Sequence, residues 1–161
     1  MIKVVEAPNT IQDLNPSIFL AGGITSCPDW QKILIEKITN RFGNIDLTLY
    51  NPRRENFPIY DPSAMNEQVE WEYNHLKKSD IIVFWFSGGS LNPIVLYELG
   101  LWGNSGSRQI IVGVDPNYQR KQDVVIQTKL ARPDVTVVDS LDDIVHSLLR
   151  FVGQPERIKN G

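Results

Sequence analysis

The sequence predicts an α/β fold: a doubly wound, five-stranded parallel sheet in the order 2-1-3-4-5, with helices on both faces and residues 1–161 forming a single domain. Two observations lead there. Five short runs rich in apolar and β-branched residues, "SIFLAG", "DLTLY", "DIIVFWFS", "QIIVGV" and "VTVVD", recur along the chain, each followed by a helix-like or loop segment. Strands alternating with helices close into a parallel sheet through right-handed crossovers. The length of 161 residues, with 42% apolar and 22% charged side chains, suits one domain with a sizeable core.

Each element has its own local signal. After the first strand, "PDWQKILIEKITNRF" places Trp30, Ile33, Leu34, Lys37, Ile38 and Phe42 near a 3.6-residue stripe, predicting the first crossover helix. The second strand leads into a polar loop, "NPRRENFPIYDPS", and then a helix from about Ser63 to Lys78 whose apolar stripe reads Met65, Val69, Tyr73 and Leu76. A glycine turn after the third strand opens "NPIVLYELGLWGN", with Asn92 as N-cap, Pro93 at the first helical position, and Gly103 and Asn104 at the end. The final run, "SLDDIVHSLLRF", starts on a Ser cap with acids in its first turn. Leu141, Ile144, Val145, Leu148 and Leu149 make it an amphipathic closing helix. The tail "GQPERIKNG" reads as a loose end.

Composition excludes several functions. A formal net charge of -3, with no basic run longer than "KK" or "RR", provides no general field for a nucleic-acid polymer. The longest strictly apolar run, "IIVFWF", is too short to cross a bilayer, and "MIKVVEAPNT" lacks the long apolar region of a signal peptide, so the expected address is the cytoplasm without membrane association. Cys27 has no disulfide or metal-ligand companion and no base beside it, while His75 and His146 stand alone, so neither a structural metal nor a cofactor is expected.

In a sheet of order 2-1-3-4-5, ligands bind at the carboxyl ends of the first and third strands, where the winding reverses. Both strands end in glycine turns, "AGGITS" with Gly22 and Gly23, and "SGGS". These turns serve either as tight connections or as an amide cradle for a polar ligand; neither is a P-loop, because the lysine of that motif is absent. The helix after the third strand carries Glu98, the one charged side chain between Asp80 and Arg108. An isolated carboxylate in apolar surroundings calls for a partner, a raised pKa or a chemical role. Glu72 lies three residues after Val69 and four before Leu76, which directs a second carboxylate toward the core. Structural ion pairing and a small rotation exposing Glu72 are the plainer explanations. Two acids converging beside a sugar are, however, what glycosyl transfer uses. Arg53 and Arg54 stand in the loop after the second strand, able to meet a polar or anionic ligand or to remain solvated, and Trp71, Trp85 and Trp102 fit either a core or a base-stacking wall.

The segments "IFLAGGIT" with a following "DW", "NPRR", "WEYNHLKKSDIIVFWF" and "NPIVLYELG" resemble the nucleoside 2-deoxyribosyltransferase-like family over about residues 17–126; the pairing of "SDIIVFW" with "YELG" is the most specific part. The resemblance implies that Glu98 is the nucleophile, that Asn92 and Glu72 fall where the family places substrate-holding aspartates, and that Phe19 falls on a first-strand aromatic, often tyrosine, without that residue's hydroxyl. Because Asn92 is no acid, protonation of a leaving base falls to Glu72 or water. The resemblance also implies nucleosides and free nucleobases as substrates, and a homo-oligomer in which a neighbour's segment "DPNYQRKQDVVIQ" contributes Asp123. The expected reaction is attack of Glu98 on C1′ of a 2′-deoxynucleoside, followed by transfer to another base or to water. A nucleotide or modified-nucleoside hydrolase and a catalytically silent nucleotide-binding module are the alternatives.

Overall fold

The computed structural model describes residues 1–104 and 107–152. The predicted loose end "GQPERIKNG", residues 153–161, lies outside the described residues. Six strands and five helices follow one another as β1 (Ile2–Glu6), β2 (Ser17–Gly22), α1 (Trp30–Phe42), β3 (Leu47–Asn51), α2 (Pro62–Lys78), β4 (Ile81–Phe86), α3 (Pro93–Trp102), β5 (Gln109–Val114), α4 (Lys121–Ala131), β6 (Val137–Val138) and α5 (Leu141–Val152). All pairings are parallel and the order is β1-β3-β2-β4-β5-β6. The five strands expected from the sequence therefore occupy their expected order, and β1 adds a sixth at the β3 edge. Val4 is half exposed and only Val5 in β1 is buried. This strand is held by backbone pairing with Leu47–Asn51 more than by an apolar face of its own.

Alternation along the strands builds two cores. Ile18, Leu20, Leu49, Ile81, Val83 and Trp85 face α1 and α5, where they meet Trp30, Leu34, Ile38, Ile144 and Leu148. Phe19, Ala21, Tyr50, Ile82, Phe84, Phe86 and Val112 face α2, α3 and α4, and meet Trp71, Leu76, Val95 and Val124. Both faces of the central strands are covered, which is why "IIVFWF" is apolar throughout. Trp71 and Trp85 belong to these cores, whereas Trp102 packs edge-on against Tyr73 with ring centroids 5.3 Å apart.

The buried face of α2 differs from the expected one. On α2 the buried side is Ala64, Gln68, Trp71, His75 and Leu76, while Met65, Val69 and Tyr73 are 57%, 55% and 49% exposed. The aromatic Trp71 and His75, stacked with centroids 4.0 Å apart, win the core side because they fill the space over Tyr50 and Phe19 that the aliphatic stripe leaves open. On α3, Val95 is the buried residue; Ile94, Tyr97 and Leu101 are 64%, 69% and 49% exposed. An unexpected helix, α4, makes the crossover between β5 and β6 with Val124 and Thr128 as its buried residues. With so few apolar anchors it carries little periodic signal.

Candidate active site

The winding reverses between β2 and β4, neighbouring strands that run side by side from Ile18 opposite Ile81 to Gly22 opposite Trp85. Their carboxyl ends are tied together through Asn92. Its side-chain amide donates to the carbonyls of Ser87 at 3.2 Å and Ser90 at 3.1 Å, and its Oδ1 accepts from Cys27 Sγ at 3.3 Å. The residue takes a left-handed conformation, φ 48° and ψ 55°, that asparagine tolerates better than most residues. Asn92 thus stands at the N-cap position as expected, but its side chain caps nothing; the amide is spent on joining two loops. Tyr118 holds the same turn from β5's side, donating its hydroxyl to the Leu91 carbonyl at 2.8 Å.

Gly23 leaves room for this junction. A Cβ there would lie 1.7 Å from Asn92 Oδ1 and 2.6 Å from Cys27 Sγ, and one on Gly22 would lie 2.2 Å from the Trp30 ring. Trp30 in turn donates its indole N–H to the Gly23 carbonyl at 3.0 Å. The loop from Gly23 to Asp29 is clamped from the other side by Arg53. Its guanidinium reaches Gln31 Oε1 and the Pro28 carbonyl at 3.0 Å each, with Asp29 Oδ1 at 3.2 Å. Arg54 pairs with Glu67 at 3.0 Å. Gln31, which the sequence pattern did not single out, is fully buried with its amide nitrogen unbonded.

Glu98 on α3 and Glu72 on α2 are both half-buried, and the charge of Glu72 bears on Glu98. Burial pushes Glu98 up to about 8, and the negative charge of Glu72 contributes to the rise. Burial also raises Glu72, against the opposing effect of a hydrogen bond from Gln68. Gln68 Nε2 donates to Glu72 Oε1 at 2.7 Å and to the Pro52 carbonyl at 2.8 Å, so the end of β3 fixes the α2 carboxylate. No ion pair reaches either acid among the described residues, so the plainer explanation for Glu98, a distant arginine partner, is not realised there. Gln68 was also missed by the sequence reading, although its four-residue spacing from Glu72 is a recognisable helical pair.

Two expected site residues lie elsewhere in this chain. Phe19 is fully buried, its ring 6.0 Å from that of Trp71, and it supports α2 from beneath. Asp123, on the first turn of α4, is ion-paired with Arg120 at 2.9 Å and lines a cavity of about 220 Å³ with Leu96, Leu99, Gln127 and Thr128. Glu72 and Glu98 do not line that cavity. Among the described residues no three His, Cys, Asp or Glu side chains cluster as a metal site, and no helix is long and apolar enough to cross a membrane.

Comparison with known proteins bears on the fold and the family. A conserved protein from Enterococcus faecalis V583 has a similar fold, with a TM-score of 0.55 and 17% identity over 84% of this chain and 98% of that one. No curated protein matches in sequence. The profile described as nucleoside 2-deoxyribosyltransferase like matches residues 15–118, a span running from β2 through α3 to Tyr118 and including both carboxylates and the Asn92 junction, so the chain belongs to the nucleoside 2-deoxyribosyltransferase-like family.

Proposed function

We propose that the protein cleaves the N-glycosidic bond of 2′-deoxynucleosides through a covalent deoxyribosyl intermediate on Glu98. The observation that carries this reading is a pair of half-buried acids, free of ion pairs among the described residues and electrostatically linked, with Glu98 on the helix that follows β4, a strand at which the winding reverses. A carboxylate oxygen of Glu98 bonds to C1′ as the C1′–N bond breaks, and the bonding pair leaves with the base. The departing nitrogen takes a proton from the Glu72 carboxyl. In the second half, a nitrogen of another base, or water, attacks C1′ and frees Glu98, returning a proton to Glu72. Phe19, Gly22, Gly23, Arg53 and Asn92 shape and brace the substrate crevice, with Asp123 supplied from a neighbouring copy.

The surface beside the acids fits the same reading. Met65, Val69 and Tyr73 on α2 and Ile94, Tyr97 and Leu101 on α3 leave an exposed apolar surface beside the two acids, suited to a homo-oligomer that screens the site from water.

The transition state resembles an oxocarbenium ion, which a 2′-hydroxyl destabilises by withdrawing electrons. With few polar partners beside Glu98, an unpaired hydroxyl adds a cost of about 1–3 kcal/mol, corresponding to a roughly 5- to 150-fold preference for the deoxy sugar. Matched kcat/KM values for deoxyadenosine and adenosine test this, and equal values would reject the deoxyribosyl assignment. Chromatography of products from a panel of nucleosides with added free bases distinguishes base exchange, base release alone and no reaction. Mass spectrometry after trapping with a 2-fluoro-2-deoxy nucleoside is expected to place the adduct on Glu98. An adduct on any other residue overturns the mechanism.

A further inference from the structure

Gln68 is buried on the inner side of α2 and uses both protons of one amide nitrogen, to the Pro52 carbonyl at 2.8 Å and to Glu72 Oε1 at 2.7 Å. Its own Oε1 is buried without a partner. That loss reveals the constraint. The Pro52 carbonyl only accepts, so turning the amide over would aim Gln68 Oε1 at a second acceptor. The orientation is therefore set by the main chain at the end of β3, and an N–H necessarily faces Glu72 Oε1. A neutral carboxyl whose Oε1 already accepts that bond carries its own proton on Oε2.

We propose that Gln68 is a positioning residue that selects Glu72 Oε2 as the oxygen delivering the proton to the departing base. The inference rests on the reaction proposed above. As the proton passes from Oε2 to the base nitrogen, the negative charge left on Glu72 is held by the bond already in place from Gln68, which requires no reorganisation at that moment. Glu98 of α3 is the titratable group on which the charge of Glu72 acts. In the loop after β3, Arg53 and Arg54 are committed to Asp29 and Glu67, and Gln68 is the donor to Glu72 from α2 itself. No other charge offsets the one that develops there among the described residues.

A pair of substrates separates this role from a structural one. 2′-Deoxyguanosine needs its base protonated to leave, whereas the base of 7-methyl-2′-deoxyguanosine already carries a positive charge and leaves neutral. Gln68→Leu is expected to lower kcat about 10- to 100-fold on 2′-deoxyguanosine, with KM changed less than about 3-fold, while kcat on the 7-methyl substrate stays within about 3-fold of wild type. Glu72→Gln is expected to show the same discrimination. Loss of the bond also raises Glu72, so the high-pH fall of kcat on 2′-deoxyguanosine moves to higher pH in the variant. If the Leu variant does not fold, Gln68→Met, unbranched and nearly isosteric, carries the same comparison. Equal losses on both substrates, or an unmoved high-pH limb, overturn the role of Gln68 while leaving Glu98 as nucleophile. A wild-type protein that turns over neither substrate and forms no Glu98 adduct overturns the underlying reaction together with it.

Discussion

Glu98 meets two opposing demands: burial and the charge of Glu72 favour its neutral form, while the attack on C1′ that we propose needs the anion. With its pKa pushed up to about 8, the carboxylate is the minor species of the free chain at neutral pH, and kcat/KM on 7-methyl-2′-deoxyguanosine, whose base leaves without a proton from Glu72, is expected to climb with pH toward a limb near 8. Glu72→Gln removes the neighbouring charge but leaves the burial, so the limb should move down yet stay above the ordinary carboxylate range. A profile flat from pH 6 to 9 would contradict this pairing. The same shift fixes a sign for stability. A carboxyl raised in the fold contributes stability that is fully present below its unfolded pKa and is lost as pH rises through about 8. Glu98→Gln should therefore abolish nearly all turnover, keep the fold, and gain stability relative to wild type by about 1–3 kcal/mol more at pH 9 than at pH 6 in denaturant unfolding. Near-normal activity in that variant would remove Glu98 from its assigned role.

At the scale of elements, the loops at the carboxyl ends of β2, β3 and β4 clamp one another. Arg53, from the segment after β3, holds the β2–α1 connection through Gln31, Pro28 and Asp29, and Asn92 pins the same connection to the turn before α3. Replacing Arg53 with Met forfeits several charge-assisted bonds while retaining most of the stem, and is expected to cost about 1–3 kcal/mol. Hydrogen exchange should rise selectively across residues 23–29. Unchanged exchange with a weakened substrate affinity would instead make Arg53 a direct ligand contact. The glycines belong to this level as well: Gly23 is needed because Asn92 Oδ1 occupies the place of its Cβ, a requirement that arises from the far end of another loop.

Across the whole molecule, the sheet is well covered and yet one helical layer stays apolar on its outside. The surface formed by α2 and α3 carries Val69, Tyr73, Ile94 and Tyr97 beside the two acids. An assembly through this layer would explain both the exposed side chains and how water is kept from a glycosyl intermediate. Light scattering at micromolar concentration is expected to report a dimer or larger species, and the double variant Val69→Glu, Ile94→Glu is expected to shift it to monomer with activity reduced at least 10-fold. A wild-type monomer at that concentration would contradict the assembly.

The sequence by itself determined the winding of the five main strands, the place where it reverses, the closing helix and the isolation of Glu98, because apolar runs, helical stripes and a lone charge are properties of neighbouring residues. It also brought Glu72 inward, although by an apolar stripe of which only Leu76 is buried while Met65, Val69 and Tyr73 face solvent; Trp71 and His75 take the buried side of α2, against Phe19 and Tyr50. Strand β1 and helix α4 were illegible because one depends on an available sheet edge and the other on the need for a crossover, and each buries a single apolar residue, Val5 and Val124. The electrostatic link of Glu72 to Glu98, the Gln68 bridge from Pro52 and the use of Asn92 as a clip were decided only by tertiary structure. Each joins segments far apart in the chain or separate elements, and its energy depends on distances and burial that no local pattern contains.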